Sequence, residues 1–227
     1  MMLEFFKKKN RANLPECWKE YLDHFNTKKN INVPIDECTF TVLDVESNGF
    51  NPKEDKILSI GAVKIKNNQI DVSNTLEIFL DQEEFNPDTV PIHGIRKNTD
   101  YIKESEQIAM RKLVKYIGDD VIVGHSITFD IGIINETLKK YVADKLKNYT
   151  IDTVSLYTRF KGGDFKIGTT TSLDFLSDEF NIPKSDRHNA AGDALITAIL
   201  FMKLVSRLNH RGVKNLKDLL KDRKVLI

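Results

Sequence analysis

Apolar and polar positions along the chain fall into two regimes. In residues 1–36, Leu14, Trp18, Tyr21, Leu22 and Phe25 recur at helical spacing, which predicts one amphipathic helix with Pro15 in its first turn. From Glu37 the pattern turns to strands. Residues 38–45 are rich in Thr, Val and Phe and apolar on both faces, as in a buried central strand. Strands over 57–65 and 70–80 follow, and the turn pair Asn67-Asn68 between them predicts a hairpin. A helix over 103–117 would turn Ile108, Leu113, Val114 and Ile117 inward. The run Val121-Ile122-Val123-Gly124 is a short buried strand, and 128–142 is a helix with Ile131, Ile134, Leu138, Tyr141 and Val142 as its apolar stripe. A fifth strand at 149–152 leads into a helix from about Val154. Lys161-Gly162-Gly163-Asp164 and Thr169-Thr170-Thr171 mark a loop, and a short helix over 172–180 is stopped by Asn181-Ile182-Pro183. The longest helix is 189–208. This order predicts an α/β fold with a mixed five-stranded sheet covered by helices on both faces.

Composition narrows the setting more than the chemistry. A chain of 227 residues, 41% hydrophobic and 30% charged, suits one large domain with flanking pieces. The expected division is an N-terminal helical extension at 1–36, a central domain at 37–208 and a basic C-terminal helical segment at 209–227. The net charge of +1 marks no whole-molecule field for a polyanion, although local patches decide that question. Lys7, Lys8, Lys9 and Arg11 form one basic cluster, and eight Lys or Arg stand against two Asp between Lys203 and Lys224. The first reads as a solvated tail, and the second as a solvated helical face or a contact to a nucleic acid or a partner. Cys17 and Cys38 lack metal-binding spacing, which suits reduced, structural thiols in a cytoplasmic protein. The apolar runs are too short to span a bilayer, and Phe-Phe followed by Lys-Lys-Lys is the wrong order for a secretory signal.

The chemistry gathers at acidic residues. Asp44 and Glu46 are two apart on the first strand, so both carboxylates leave one face near its end. Two ionised carboxylates in a poorly solvated corner repel. They share a proton or a cation there, whereas at a solvated strand end they need neither. Asp130 falls in the first turn of the 128–142 helix, where the helix dipole favours a carboxylate. Asp193 continues the stripe Ile196, Leu200, Leu204 and Leu208 of the last helix, which puts a charge on a core-facing row that needs a cation or a salt bridge. The small residues Ala190, Ala191 and Gly192 let that end of the helix approach the sheet. His188 lies just outside the helix, where an imidazole can accept a proton from water. His125 follows a buried strand and organises its loop.

The order Asp44-x-Glu46, Gly124-His125-x-x-x-Phe129-Asp130 and His188-x-x-x-x-Asp193 resembles the DEDDh family of 3′–5′ exonucleases, which includes epsilon-type proofreading exonucleases and ribonuclease T. The likeness covers about residues 38–208, and His93-Gly94-Ile95 matches a tripeptide of the epsilon-like branch. It implies a ribonuclease H-like fold and two Mg²⁺ or Mn²⁺ ions held by Asp44, Glu46, Asp130 and Asp193, with His188 as general base. It also implies that Ser47, Asn48, Gly49, Phe50, His93, His125 and Phe129 meet the substrate. Where the family often has Thr-Thr-Gly-Leu, this chain has Ser47-Asn48-Gly49-Phe50, and the family's His-Asn is His125-Ser126. The implied activity is release of 5′-nucleoside monophosphates from 3′ ends of single-stranded DNA, in proofreading or repair. RNA trimming, or a polymerase-associated binding module with secondary nuclease activity, are the competing readings. The implied partners are single-stranded 3′ ends, DNA before RNA, and a DNA polymerase subunit.

Overall fold

Alternation along the first strand sets the layers. In β1 (Phe40–Ser47), Phe40 and Val42 pack into one hydrophobic cluster and Leu43 and Val45 into another, on opposite sides of the sheet. The computed structural model describes residues 13–82, 101–166 and 168–222. Within them β2 (Ile57–Lys66), β3 (Gln69–Leu80), β4 (Lys103–Glu104), β5 (Val121–Gly124) and β6 (Thr150–Asp152) join β1 in a six-stranded sheet of order β4-β3-β2-β1-β5-β6. The β1–β2 and β2–β3 pairs are antiparallel, and the β3–β4, β1–β5 and β5–β6 pairs are parallel. Asn67 and Asn68 close the β2–β3 hairpin with φ of 52° and 57°, the left-handed pair that a tight hairpin turn requires.

Helices α1 (Glu16–Asp23), α2 (Glu106–Ile117) and α3 (Thr128–Val142) cover one face, around Trp18, Leu113 and Ile133. Helices α4 (Thr153–Lys161), α5 (Leu173–Glu179), α6 (Ala190–Asn209) and α7 (Leu216–Leu219) cover the other, around Phe40, Leu176 and Leu200. The mixed sheet covered by helices on both faces is the expected architecture, with a sixth strand added at the edge. Lys103 and Glu104 were expected to open a helix. They pair instead with Phe79 and Leu80, and the helix starts after Ser105, whose side chain accepts the Ile108 N–H. The rest of α2 follows helical spacing. Its buried row is Ala109, Met110, Leu113, Val114 and Ile117, while Ile108, expected inward, lies off the row and is 46% exposed.

The flanks are tied to the sheet. Trp18 and Tyr21 of α1 are buried and stacked with ring centroids 4.6 Å apart. The Tyr21 hydroxyl donates to Asn148 Oδ1 at 2.6 Å and accepts the Lys147 N–H at 2.7 Å, so the ring is buried without stranding its polar end. At the opposite end, Leu216 N donates to Val33 O and Ile35 N to Lys214 O, joining the segment before β1 to the segment after α6.

One contact positions the acidic end of the sheet. Gly61 of β2 stands opposite Asp44 of β1. A Cβ on Gly61 would lie 2.1 Å from the carbonyl carbon of Ala190, so the first turn of α6 rests on bare backbone there. Gly192 is small for a different neighbour: a Cβ on it would meet Asp186 O at 2.0 Å. Replacing Gly61 by Ala is expected to push the start of α6 off the sheet and to cost about 1–3 kcal/mol or more of stability, read from urea unfolding followed by Trp18 fluorescence. An unchanged midpoint would show that the helix has room to yield.

Candidate active site

The side chains of Asp44 and Glu46 continue the row begun by Phe40 and Val42, so both leave β1 on the α6 side. Above them α6 begins. Asn189 caps it through a 3.0 Å bond from Gly192 N and reaches β3 by donating to Glu77 Oε1 at 3.2 Å. Asp193 follows in the first turn, 5% exposed, on the same row as the buried Ile196, Leu200, Leu204 and Leu208. Oxygens of Asp44, Glu46 and Asp193 lie within 4.8 Å of one another.

Asp130 comes from the other side of β1. It is buried in the first turn of α3, where the nearby backbone N–H groups of Val45 and of Asp130 itself pull its carboxyl pKa down against the larger effect of burial. The loop before α3 is held in shape by polar contacts. Ser126 has φ of 57°, and its N–H donates to Asp152 Oδ1, which also caps α4 through Val154 N. His125 Nδ1 lies 2.9 Å from Thr153 Oγ1, and burial pushes the imidazole below its ordinary pKa. The loop-organising role expected for His125 is thus visible in its contacts.

A cavity of about 270 Å³ opens beside these groups, lined by Asp44, Glu46, Ser47, Gly49, Phe50, His125, Phe129 and Asp130 among others. The expected substrate residues divide within it. Phe50 is 79% exposed at the rim, with its ring free of the core. The Ser47 hydroxyl donates to Gly49 O at 2.6 Å, and Asn48 Oδ1 accepts the Lys56 N–H at 2.7 Å, so both shape the loop. Asn48 is buried rather than presented at the cavity. His93 lies outside the described residues.

Sequence reasoning missed Arg187. Its Nη1 donates to Asp193 Oδ2, while Nε and Nη2 donate to the two carboxylate oxygens of Asp174 at 2.8 and 3.2 Å. Next to it His188 is exposed, with φ of 66°, and its backbone N–H lies 3.3 Å from Asp193 Oδ2. The only signal in the chain was a cation adjoining a singled-out histidine, and its partner Asp174 lies 13 residues earlier.

Burial dominates the protonation of the acids. It holds Asp44 well above the usual carboxylate range, with the Asp130, Asp193 and Glu46 charges adding to it. Glu46 is raised from 4.5 to about 7 by burial and then by Asp193, against the opposing pull of Arg187. Asp130 is likewise raised well above the usual range, chiefly by burial. These are groups that lack a countercharge. Asp193 Oδ1 is buried with no hydrogen-bond partner among the described residues. An all-oxygen, acidic donor set with one orphaned oxygen fits a hard divalent cation such as Mg²⁺ or Mn²⁺.

Comparison with known proteins decides the family. The family model described as an exonuclease and named for ribonuclease T matches residues 41–201. The chain belongs to that exonuclease family. It is a hydrolytic nuclease with the ribonuclease H-like fold. It is 33% identical over 177 residues to the PolC-type DNA polymerase III of Listeria innocua, covering 77% of this chain and 12% of that protein. To the PolC-type enzyme of Bacillus subtilis it is 30% identical over 184 residues, covering 79% and 12%. The chain therefore spans about an eighth of the length of these curated relatives. Among solved structures, Escherichia coli exonuclease I bound to a dT13 oligonucleotide superposes with a TM-score of 0.64 at 16% identity, over 77% of this chain and 42% of that one. Exonuclease X in complex with 5′-overhanging duplex DNA gives a TM-score of 0.59 at 19% identity, over 80% and 97%. These likenesses establish the fold.

The raised acids give the metal-free protein a definite pH response. A carboxyl whose folded pKa exceeds its unfolded one favours folding below the unfolded value and loses that contribution as pH rises through the folded value. For Glu46 the window runs from 4.5 to about 7. In chelator, the melting temperature is expected to fall across that window. Glu46→Gln, which cannot ionise, is expected to flatten part of the fall, and added Mg²⁺ or Mn²⁺ to reverse it near neutral pH. A wild-type curve that superposes on that of the variant would show that Glu46 carries no such charge.

Proposed function

We propose that the chain is a metal-dependent 3′–5′ exonuclease that removes 5′-nucleoside monophosphates from the 3′ end of single-stranded DNA. The observation that carries this reading is the meeting of Asp44, Glu46 and Asp193 within 4.8 Å at the end of the sheet, with Asp130 lining the same cavity as Asp44 and Glu46. Asp44, Glu46, Asp130 and Asp193 are the proposed holders of two Mg²⁺ or Mn²⁺ ions. Bound there, the ions would supply positive charge against the phosphate and a more acidic water. The protein's own part is placement and proton transfer. The cavity walled by Gly49, Phe50, His125 and Phe129 receives the terminal nucleotide, with Phe50 offering an exposed ring to the base. His188, anchored by its backbone to Asp193, takes a proton from the attacking water. Water adds to the terminal phosphorus and the P–O3′ bond breaks. The monophosphate leaves, O3′ takes a proton from solvent to become the strand's new 3′-hydroxyl, and His188 gives its proton up to solvent.

The substrate choice draws support from the dT13 complex of exonuclease I, and a polymerase partner from the PolC-type relatives. In this reading 37–208 is the nuclease unit, and 1–36 and 209–227 are the flanks through which a polymerase subunit would be met. No described helix is long and apolar enough to cross a membrane, and a cytoplasmic setting belongs to the same proposal.

Digestion of 5′-labelled and 3′-labelled single-stranded DNA, duplex DNA and RNA with Mg²⁺ or Mn²⁺ tests polarity, sugar preference and metal dependence together. Stepwise shortening from the 3′ end of single-stranded DNA is expected, and preferential shortening of RNA would move the assignment to RNA trimming. Asp44→Ala and Asp193→Ala are each expected to lower mononucleotide release by several orders of magnitude. Retained release in either variant would sink the four-carboxylate assignment.

A further inference from the structure

Arg187 sits between two acids and serves them unequally. Its side chain is 16% exposed, that of Asp193 is 7% exposed and that of Asp174 48%. Two of its N–H groups fork onto both oxygens of Asp174, the planar match that a guanidinium makes and an ammonium cannot. A third goes to Asp193 Oδ2, which also faces the His188 backbone N–H. Two donors on Oδ2 stop rotation of the carboxylate. They leave Oδ1, buried and unpartnered among the described residues, as the oxygen free to meet the group shared with Asp44 and Glu46. The charges are balanced to the same end. Arg187 carries +1 against −2 from Asp174 and Asp193. The three side chains together keep a net negative charge, which Asp193 can present to a cation through Oδ1.

From this geometry we infer that Arg187 is a positioning residue for Asp193, and that Asp174 holds it in that role. The inference rests on the metal reading of the acidic cluster and deepens it. A cation beside a metal ligand would ordinarily compete with the ion. Here the competitor is tethered from behind by α5, so it orients the ligand without replacing the metal. Hydrogen bonds to ligating carboxylates act in this way, and losing one weakens metal affinity by roughly 10–100-fold.

The test is Mn²⁺ binding to the full chain without substrate, followed by the electron paramagnetic resonance signal of free Mn²⁺, with circular dichroism as the control for folding. Arg187→Ala is expected to bind Mn²⁺ about 10–100-fold more weakly. Asp174→Asn is expected to weaken binding in the same direction, because it releases Arg187 onto Asp193 and leaves its charge unbalanced. The double variant should be no weaker than Arg187→Ala alone, since Asp174 acts only through Arg187. Arg187→Lys should recover part of the loss, and it carries the test if the alanine variant does not fold. Mn²⁺ binding in Arg187→Ala as tight as in the wild type, or tighter, overturns the inference and makes Arg187 a competitor. Additive losses in the double variant overturn the role given to Asp174. A wild-type chain that takes up no Mn²⁺ overturns the metal reading itself, a result distinct from either of the others.

Discussion

Like charges held close together in a poorly solvated corner are the constraint on which the rest of this site depends. Two unit charges 4.8 Å apart, the outer limit within the Asp44, Glu46 and Asp193 group, repel by about 3 kcal/mol at an effective dielectric of about 20. Three such pairs approach the whole stability of an ordinary domain. The chain answers with raised carboxyl pKa values, with Arg187 pulling against that rise at Asp44 and Glu46, and with an orphaned oxygen on Asp193. Each answer is partial. Protonation removes the negative charge that would hold a cation, and Arg187 has two of its three nitrogens committed to Asp174. The arrangement makes physical sense as a place where a divalent ion completes the balance.

The fold tolerates this because the crowding is local and the scaffold around it is apolar and paired. Asp44 and Glu46 extend a strand whose other positions fill two hydrophobic clusters. Gly61, directly across from Asp44, lets the α6 backbone settle where any side chain would hold it off, and so brings Asp193 down to the strand. Two non-glycine residues flanking the site, Ser126 and His188, adopt left-handed backbone conformations. Both backbone N–H groups face carboxylates, Asp152 and Asp193 respectively, so local strain is offset by charge-assisted contacts. Removing one of these carboxylates would relieve repulsion, which separates what stabilises this corner from what the crowding of charge is for.

How much of this was legible in the chain depends on periodicity. Asp193 stood out because it interrupts an apolar helical stripe, and Ile196, Leu200, Leu204 and Leu208 are buried as that stripe requires. Asp44 and Glu46 were legible from strand alternation, and Asp130 from its place in a helical first turn. Features that depend on a neighbour brought in by the fold were not. Arg187 owes its role to Asp174 on a separate helix. Gly61 carried no mark in the chain, and only the fold supplies the α6 backbone that rests on it. Ile108 fails for a smaller reason: it stands five, six and nine residues before Leu113, Val114 and Ile117, and at about 3.6 residues per turn that puts it on the side of the helix away from the row. The two-residue strand β4 is too short to carry alternation at all.

The two sides of the site differ in how firmly they are built. On the acid side each carboxylate comes from a regular element, β1, α3 or α6, and its position is fixed by backbone geometry. On the nucleotide side the groups come from the 47–50 loop, which holds itself through Ser47, Asn48 and Asp55 while leaving Phe50 exposed. This is also where the chain departs from the motif of the family it belongs to. A rigid acid centre beside a self-contained loop allows the loop to change without disturbing the carboxylates. If the loop receives the nucleotide as proposed, the departure at Ser47-Asn48-Gly49-Phe50 bears on which nucleotide is held, while the placement of Asp44, Glu46, Asp130 and Asp193 is set by the sheet and the helices that meet there.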